Sequence, residues 1–429
     1  MTPKKLNALF MEIEKKKLLA AIGIVLLTSL LGILIYQVYF APPSETPTPS
    51  EVSGEIAPNQ LITSEVRDKS LGEELGQPGA GFERPPLETA VQVEQGVGGQ
   101  INVLVTTIVS NPTSALTTGS SDGTIQYYDK LDGRFYKSDE DGNKIAMSNE
   151  AFPAVQSVTW APNKAVAAMT FPDGKKAIYD FAAKKQYSIP AHWNDINFSP
   201  DSKQMAGKTD SPDPKLRYLF TSNIDGTNAV PIEPLGENGK KVIVSWSPNN
   251  QVIAFSRTAP ALGGGGDRQG VLLIGKNGEN FRQLTVEGMG FQPSWSPQGD
   301  RVLYSAHNGS SDLKPTLWID GGNDETVGAA KNYLGINTWA SKCTFLNNDE
   351  VLCAVPDPDR LLPAIGFAPQ LATNTNDTVY KVNIRSGLQT IVGKPDGDHT
   401  IDTLSVSADG SNLFMKESGT GQILKMQLK

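Results

Sequence analysis

Four features of the chain carry residue types that bear on chemistry. Gly119 to Gly123, "GSSDG", has the Gly-x-Ser-x-Gly form of a hydrolase nucleophile elbow, with Ser121 at its centre. An elbow needs a strand-to-helix turn with an acid and a His placed by an α/β sheet. Strand-like apolar runs flank this one on both sides, so Ser121 reads as a turn residue. His192, His307 and His399 lie far apart without ligand-like spacing, which points to packed or loop histidines rather than a metal site. "SDEDGNK", residues 138–144, has the acidic start of a calcium loop but no bidentate Glu at the later position, so a solvated turn is expected. No metal or cofactor is expected. Asp267, Asp357 and Asp359 are the carboxylates that a glycan-cleaving enzyme could use. That chemistry requires a pair about 5–10 Å apart with one pKa raised.

A fifth feature suits binding better. Residues 355–377, "VPDPDRLLPAIGFAPQLATNTND", place Leu361, Leu362, Ile365, Phe367 and Leu371 in a loop beside Arg360. Exposed, they would form an apolar patch of the kind that marks an interaction site. Arg360, and Arg268 in an earlier loop, would orient a partner that Leu361, Leu362, Ile365 and Phe367 anchor. The alternative is a lid folded onto the domain, burying those groups for stability.

The elements that position these residues are repeated. "VSWSPNNQVIAFSR" at 244–257 returns as "PSWSPQGDRVLYSA" at 293–306, with Trp246 and Trp295 49 residues apart. Related anchors are Val109, Trp160, Phe198, Phe345 and Val406. Each lies on a short apolar strand followed by a Pro/Asn/Asp/Gly turn and a second apolar strand, the pattern of a hairpin. A second hairpin closes most units, as in "VLLIGKNGENFRQLT". Four strands at a period near 50 match a β-propeller blade. The expected fold is therefore all-β: a propeller of four-stranded antiparallel blades, with seven anchors favouring seven blades over six. The last unit supplies three strands, so "INVLV", residues 101–105, is expected to add the fourth and close the ring.

These phrases resemble the repeats of TolB-type propellers, related in architecture to WD-repeat proteins. The resemblance covers roughly residues 100–429 and is strongest over 194–306. It implies an interaction platform in a bacterial-type envelope.

Within a blade, every link from second to third strand falls on one face of the ring. That link is long in four consecutive units, 208–217, 257–270, 307–316 and 355–377. Insertions gathered on one face often build a binding surface. Gly263–Gly266 reads as a source of flexibility, lacking the strand-helix context of a phosphate loop.

Cys343 and Cys353 are equidistant from Asn348. With Asn348 at the tip of a hairpin, the two face each other across antiparallel strands, within disulfide reach.

Residues 18–40 contain no charge; as a helix they span about 34 Å, enough for a hydrocarbon core. Five Lys against two Glu in 1–17 place that end in the cytoplasm. The expected order is a basic cytoplasmic tail (1–17), a transmembrane helix (18–40), a Pro-rich acidic disordered linker (41–90) and the propeller (91–429). The linker holds eight Pro, nine acids and three bases, too polar to bury a core. No basic stripe follows, which argues against nucleic acid. The expected protein is a single-pass membrane protein whose extracytoplasmic propeller, periplasmic or at the cell surface, binds a protein or envelope polymer on its loop face. Its rival is a propeller enzyme acting on glycans.

Overall fold

A computed structural model describes residues 94–95, 102–119, 123–260, 262, 267–279 and 281–428. The basic tail, the 18–40 span, the linker, Ser121 and Gly263–Gly266 lie outside the described residues. Among the described residues no helix is long and apolar enough to cross a membrane.

Seven four-stranded antiparallel sheets follow one another along the chain. They occupy residues 113–146, 157–189, 193–234, 242–286, 289–333, 343–395 and 401–427, and are blades 1 to 7 in that order. In each, the first strand lies at one edge of the sheet, and first strands touch between blades 1 and 2, 2 and 3, 3 and 4, 6 and 7, and 7 and 1. This is a seven-bladed propeller, which settles the choice between seven and six.

Burial explains the apolar runs. The second strand Val252–Ser256 of blade 4 is buried at every residue, because blades cover both of its faces. Seven apolar clusters form the core, one between each pair of adjacent blades. An eighth lies elsewhere and joins Trp339, Leu361 and Ile365.

The Trp-Ser-Pro phrase now has a physical meaning. Ser247 donates its hydroxyl to Asn249 Oδ1 at 2.6 Å and accepts the Val252 amide at 2.9 Å. Ser199 and Ser407 fold the same turn with Asp201 and Asp409, and Ser296 closes its turn on Asp300, four residues on. The aromatic residue beside the turn reaches back to the previous blade. Trp295 stacks on Phe255 at 5.1 Å between ring centres, and Trp160 Nε1 donates to the Ala115 carbonyl at 2.7 Å.

Closure differs from expectation. The fourth strand of blade 7 is Thr106–Val109, antiparallel to Ile423–Gln427, not residues 101–105. Asn102–Val103, with Glu94–Gln95, instead runs parallel to the outer strand Gln389–Pro395 of blade 6. Side-chain placement gives the reason: Val109 is buried in the seam with Leu116, Ile125 and Phe414, while Leu104 is 79% exposed. Val109 is thus no anchor of the first unit. Blade 1 opens at Thr113–Thr118, which pairs antiparallel with Ile125–Asp129. "TIQYYDKLDGRFYKS" then forms its second and third strands, and Lys144–Ala146 its fourth.

Cys343 and Cys353 pair directly across the first two strands of blade 6 and form a disulfide, with Cα atoms 4.1 Å apart.

Candidate functional site

The four insertions do occupy second-to-third strand links, at 210–217, 257–268, 308–315 and 356–377, whereas blades 1, 2 and 7 make the same link in five residues or fewer. Links from fourth to first strands share this face. Among the described residues, six of the ten exposed large apolar side chains gather on it: Leu131, Leu216, Met289, Leu362, Phe367 and Leu371. Exposed apolar surface concentrated on one face is what an interaction surface looks like.

Three insertions touch in series. The Gly309 amide donates to Asp267 Oδ1 at 3.4 Å. Ala364 and Gly366 amides donate to the carbonyls of Asp312 and Leu313, at 2.8 and 2.9 Å. Arg268 in the blade 4 insertion and Arg360 in the blade 6 insertion thereby belong to one continuous rim.

The blade 6 insertion begins with a turn in which the Asp359 amide donates to Asp357 Oδ1 and the Leu361 amide to the Asp357 carbonyl. Two short 3-10 turns follow, Ile365–Phe367 and Pro369–Leu371. Its apolar residues divide. Leu361 and Ile365 are buried, 3% and 6% exposed, against Trp339. Leu362, Phe367 and Leu371 are 63%, 63% and 66% exposed. The expectation that Leu361 and Ile365 anchor a partner is therefore corrected: they hold the loop down, because Trp339 offers them an apolar seat. Leu362 and Phe367 remain available, and Leu371 joins them.

The arginines are already engaged. Arg360 donates to Asp398 Oδ2 at 3.2 and 3.3 Å and to Asn374 Oδ1 at 3.3 Å. Arg268 stands 3.2 Å from Glu287, which also binds Lys331. Exposed pairs of this kind contribute about 0–1 kcal/mol, so either arginine can exchange its partner at little cost.

The return of the insertion is fixed by buried polar groups. Asp377 accepts from Lys342 Nζ at 2.6 Å, from the Ile401 amide at 2.8 Å and from the Thr375 hydroxyl at 2.7 Å. Burial pushes the Lys342 ammonium below its ordinary pKa, and Asp377 opposes that shift. Beneath the start of the insertion lies a cleft of ≈ 170 Å³ between blades 5 and 6, lined by Lys314, Ile336, Asn337, Val355, Leu361 and Tyr380. Burial raises the Tyr380 pKa. A second cleft of ≈ 300 Å³ lies between blades 2 and 3 beside Lys176 and Asp195.

His307 carries more than its spacing signalled. It ends the second strand of blade 5, is 4% exposed, and packs edge-on against Phe367 at 4.4 Å between ring centres. His399 bonds Glu417 Oε1 and the Asp396 carbonyl. In the 138–144 turn, Asp139 accepts the amides of Asp141 and Asn143 and the Asn143 side chain. Nothing in the sequence distinguished His307 from these two local arrangements.

No protein-family model matches the chain, and no curated protein matches its sequence. Among solved structures, an oligogalacturonate lyase in complex with manganese aligns with a TM-score of 0.52 at 15% identity, over 76% of this chain and 93% of that one. The Cps50 (Swd1) β-propeller domain from Myceliophteria thermophila gives 0.50 at 12% identity, over 76% and 99%. At such identities the likeness establishes the propeller fold and nothing finer.

Proposed function

We propose that this protein is a membrane-anchored, extracytoplasmic propeller that binds a protein or envelope polymer through its insertion-bearing face. One observation carries the reading: a single insertion, seated through Leu361 and Ile365, holds Leu362, Phe367 and Leu371 in water. Keeping three large apolar side chains exposed on a pinned loop suits a preorganised contact surface, which lowers the ordering cost of association. Their apolar character favours a protein over a polyol. The TolB-like phrases support the same role. The uncharged 18–40 stretch and the Cys343–Cys353 disulfide support a tethered location outside the reducing cytoplasm.

Glycan cleavage gains little from the surroundings of its candidate carboxylates. Asp267 accepts the Gly309 amide of the neighbouring insertion, and Asp357 accepts the Asp359 amide within its own loop.

The test is crosslinked capture from membranes with the full-length chain, comparing wild type with Leu362→Asp/Leu371→Asp. Loss of a discrete partner from the variant supports the reading; identical partners from both overturn it.

A further inference from the structure

The seam between the blade 5 and blade 6 insertions combines three unusual features. First, His307 is buried and its Nε2 has no hydrogen-bond partner, a costly state for a polar atom. Second, the ring is enclosed by glycine backbone. A Cβ at Gly366 would stand 2.7 Å from the imidazole, and Gly290, at φ +72°, leaves no room for one either. Third, Asp312, Leu313 and Ala364 adopt left-handed backbone, with φ of 52°, 57° and 61°. Non-glycine residues take that conformation at a cost, and such strain gathers at elements with two states. Against these stand two backbone hydrogen bonds, Ala364 to Asp312 and Gly366 to Leu313, the Phe367 contact and the small Trp339 cluster.

We propose that residues 356–371 form an acid-released lid: protonation of His307 displaces Phe367 and lifts the Ile365–Phe367 turn from blade 5, uncovering Trp339 and the cleft beside Leu361. That this movement governs partner access rests on the binding role proposed above; the movement itself does not.

The sign follows from the surroundings of the ring. Burial alone pushes the His307 pKa down, with no charged group contributing. The charged residues on the packed segments are otherwise engaged or backbone-only at this seam. Glu287 binds Arg268 and Lys331, Asp267 accepts from Gly309, and Asp312 contributes its carbonyl. Lys314 lines the cleft. On an open lid the imidazole returns to an ordinary value near 6.5. The proton therefore binds the open form better. The closed lid has its full stability above that value and loses it as pH falls. Between pH 7.5 and 5.0 the open fraction rises by up to ~30-fold.

Hydrogen exchange on the full-length chain in detergent, without partner, reads the lid directly through the Ala364 and Gly366 amides. After correction for intrinsic rates, wild type should lose protection by up to ~30-fold at pH 5.0, and His307→Gln should lose none. Unchanged protection in wild type, or the same acid loss in His307→Gln, overturns the proposal. Should that variant fail to fold, the His307 ring is titrated by NMR in wild type. A midpoint coinciding with the loss of protection supports the lid, and a separate midpoint overturns it. Because no partner is present, failure here is distinguishable from failure of the binding role.

Discussion

Lys342 and Asp377 meet 2.6 Å apart with both side chains buried, joining the link that leads into blade 6 to the last turn of its insertion. Through the Ile401 amide, Asp377 also holds the first strand of blade 7. The loop that carries the exposed apolar rim is thus fastened to two blades, which is why it can hold Leu362 and Leu371 in water.

Removing one member of that pair leaves a buried charge uncompensated. Lys342→Met should lower stability by about 3–5 kcal/mol, read from the midpoint of guanidinium unfolding. A loss below about 1 kcal/mol would mean that the pair contributes little.

Two adjacent leucines should behave oppositely. Leu361→Ala removes a buried side chain and should cost about 2–5 kcal/mol. Leu362→Ala, on the surface, should stay within about 0.5 kcal/mol of wild type. Partner capture should fall for Leu362→Ala at unchanged stability, and calorimetry beside crosslinking separates the two effects.

Ring closure gives a third contrast. Val109 is buried in the seam between blades 7 and 1, and Leu104 is exposed. Val109→Asp buries an unpaired carboxylate and should cost at least ~3 kcal/mol; Leu104→Asp should be near neutral. Equal effects on the melting temperature would argue that residues 101–105 close the ring after all.

Reduction of Cys343–Cys353, ten residues apart, should lower stability by about 2–3 kcal/mol on the chain-entropy model. The check is a guanidinium unfolding curve with and without reductant. No shift would show that the hairpin stays ordered without its bridge.

The repeating phrases made the blades legible, because a Ser-x-Asx turn and a back-reaching aromatic are local in sequence. The common face of the insertions and the pairing of the cysteines follow from strand order and hairpin symmetry, so they were legible too. Closure was misplaced because "TIVSNPTSALTT" reads as one hairpin although the ring divides it, Thr106–Val109 going to blade 7 and Thr113–Thr118 to blade 1. Loop residues resist such reading for a related reason. Leu361 and Leu362 are chemically identical neighbours, and only the position of Trp339, brought from another link, sends one inward. His307 likewise owes its burial to Phe367, sixty residues away in the chain.

Photocrosslinking from single positions in membranes tests the central claim most directly. A photoreactive residue at Leu362 reports on the insertion face, and one at Leu388, in the turn between the last two strands of blade 6, reports on the opposite face. The account predicts a discrete adduct from position 362 and none from 388. The same adduct from both positions, or an adduct from 388 alone, would contradict it.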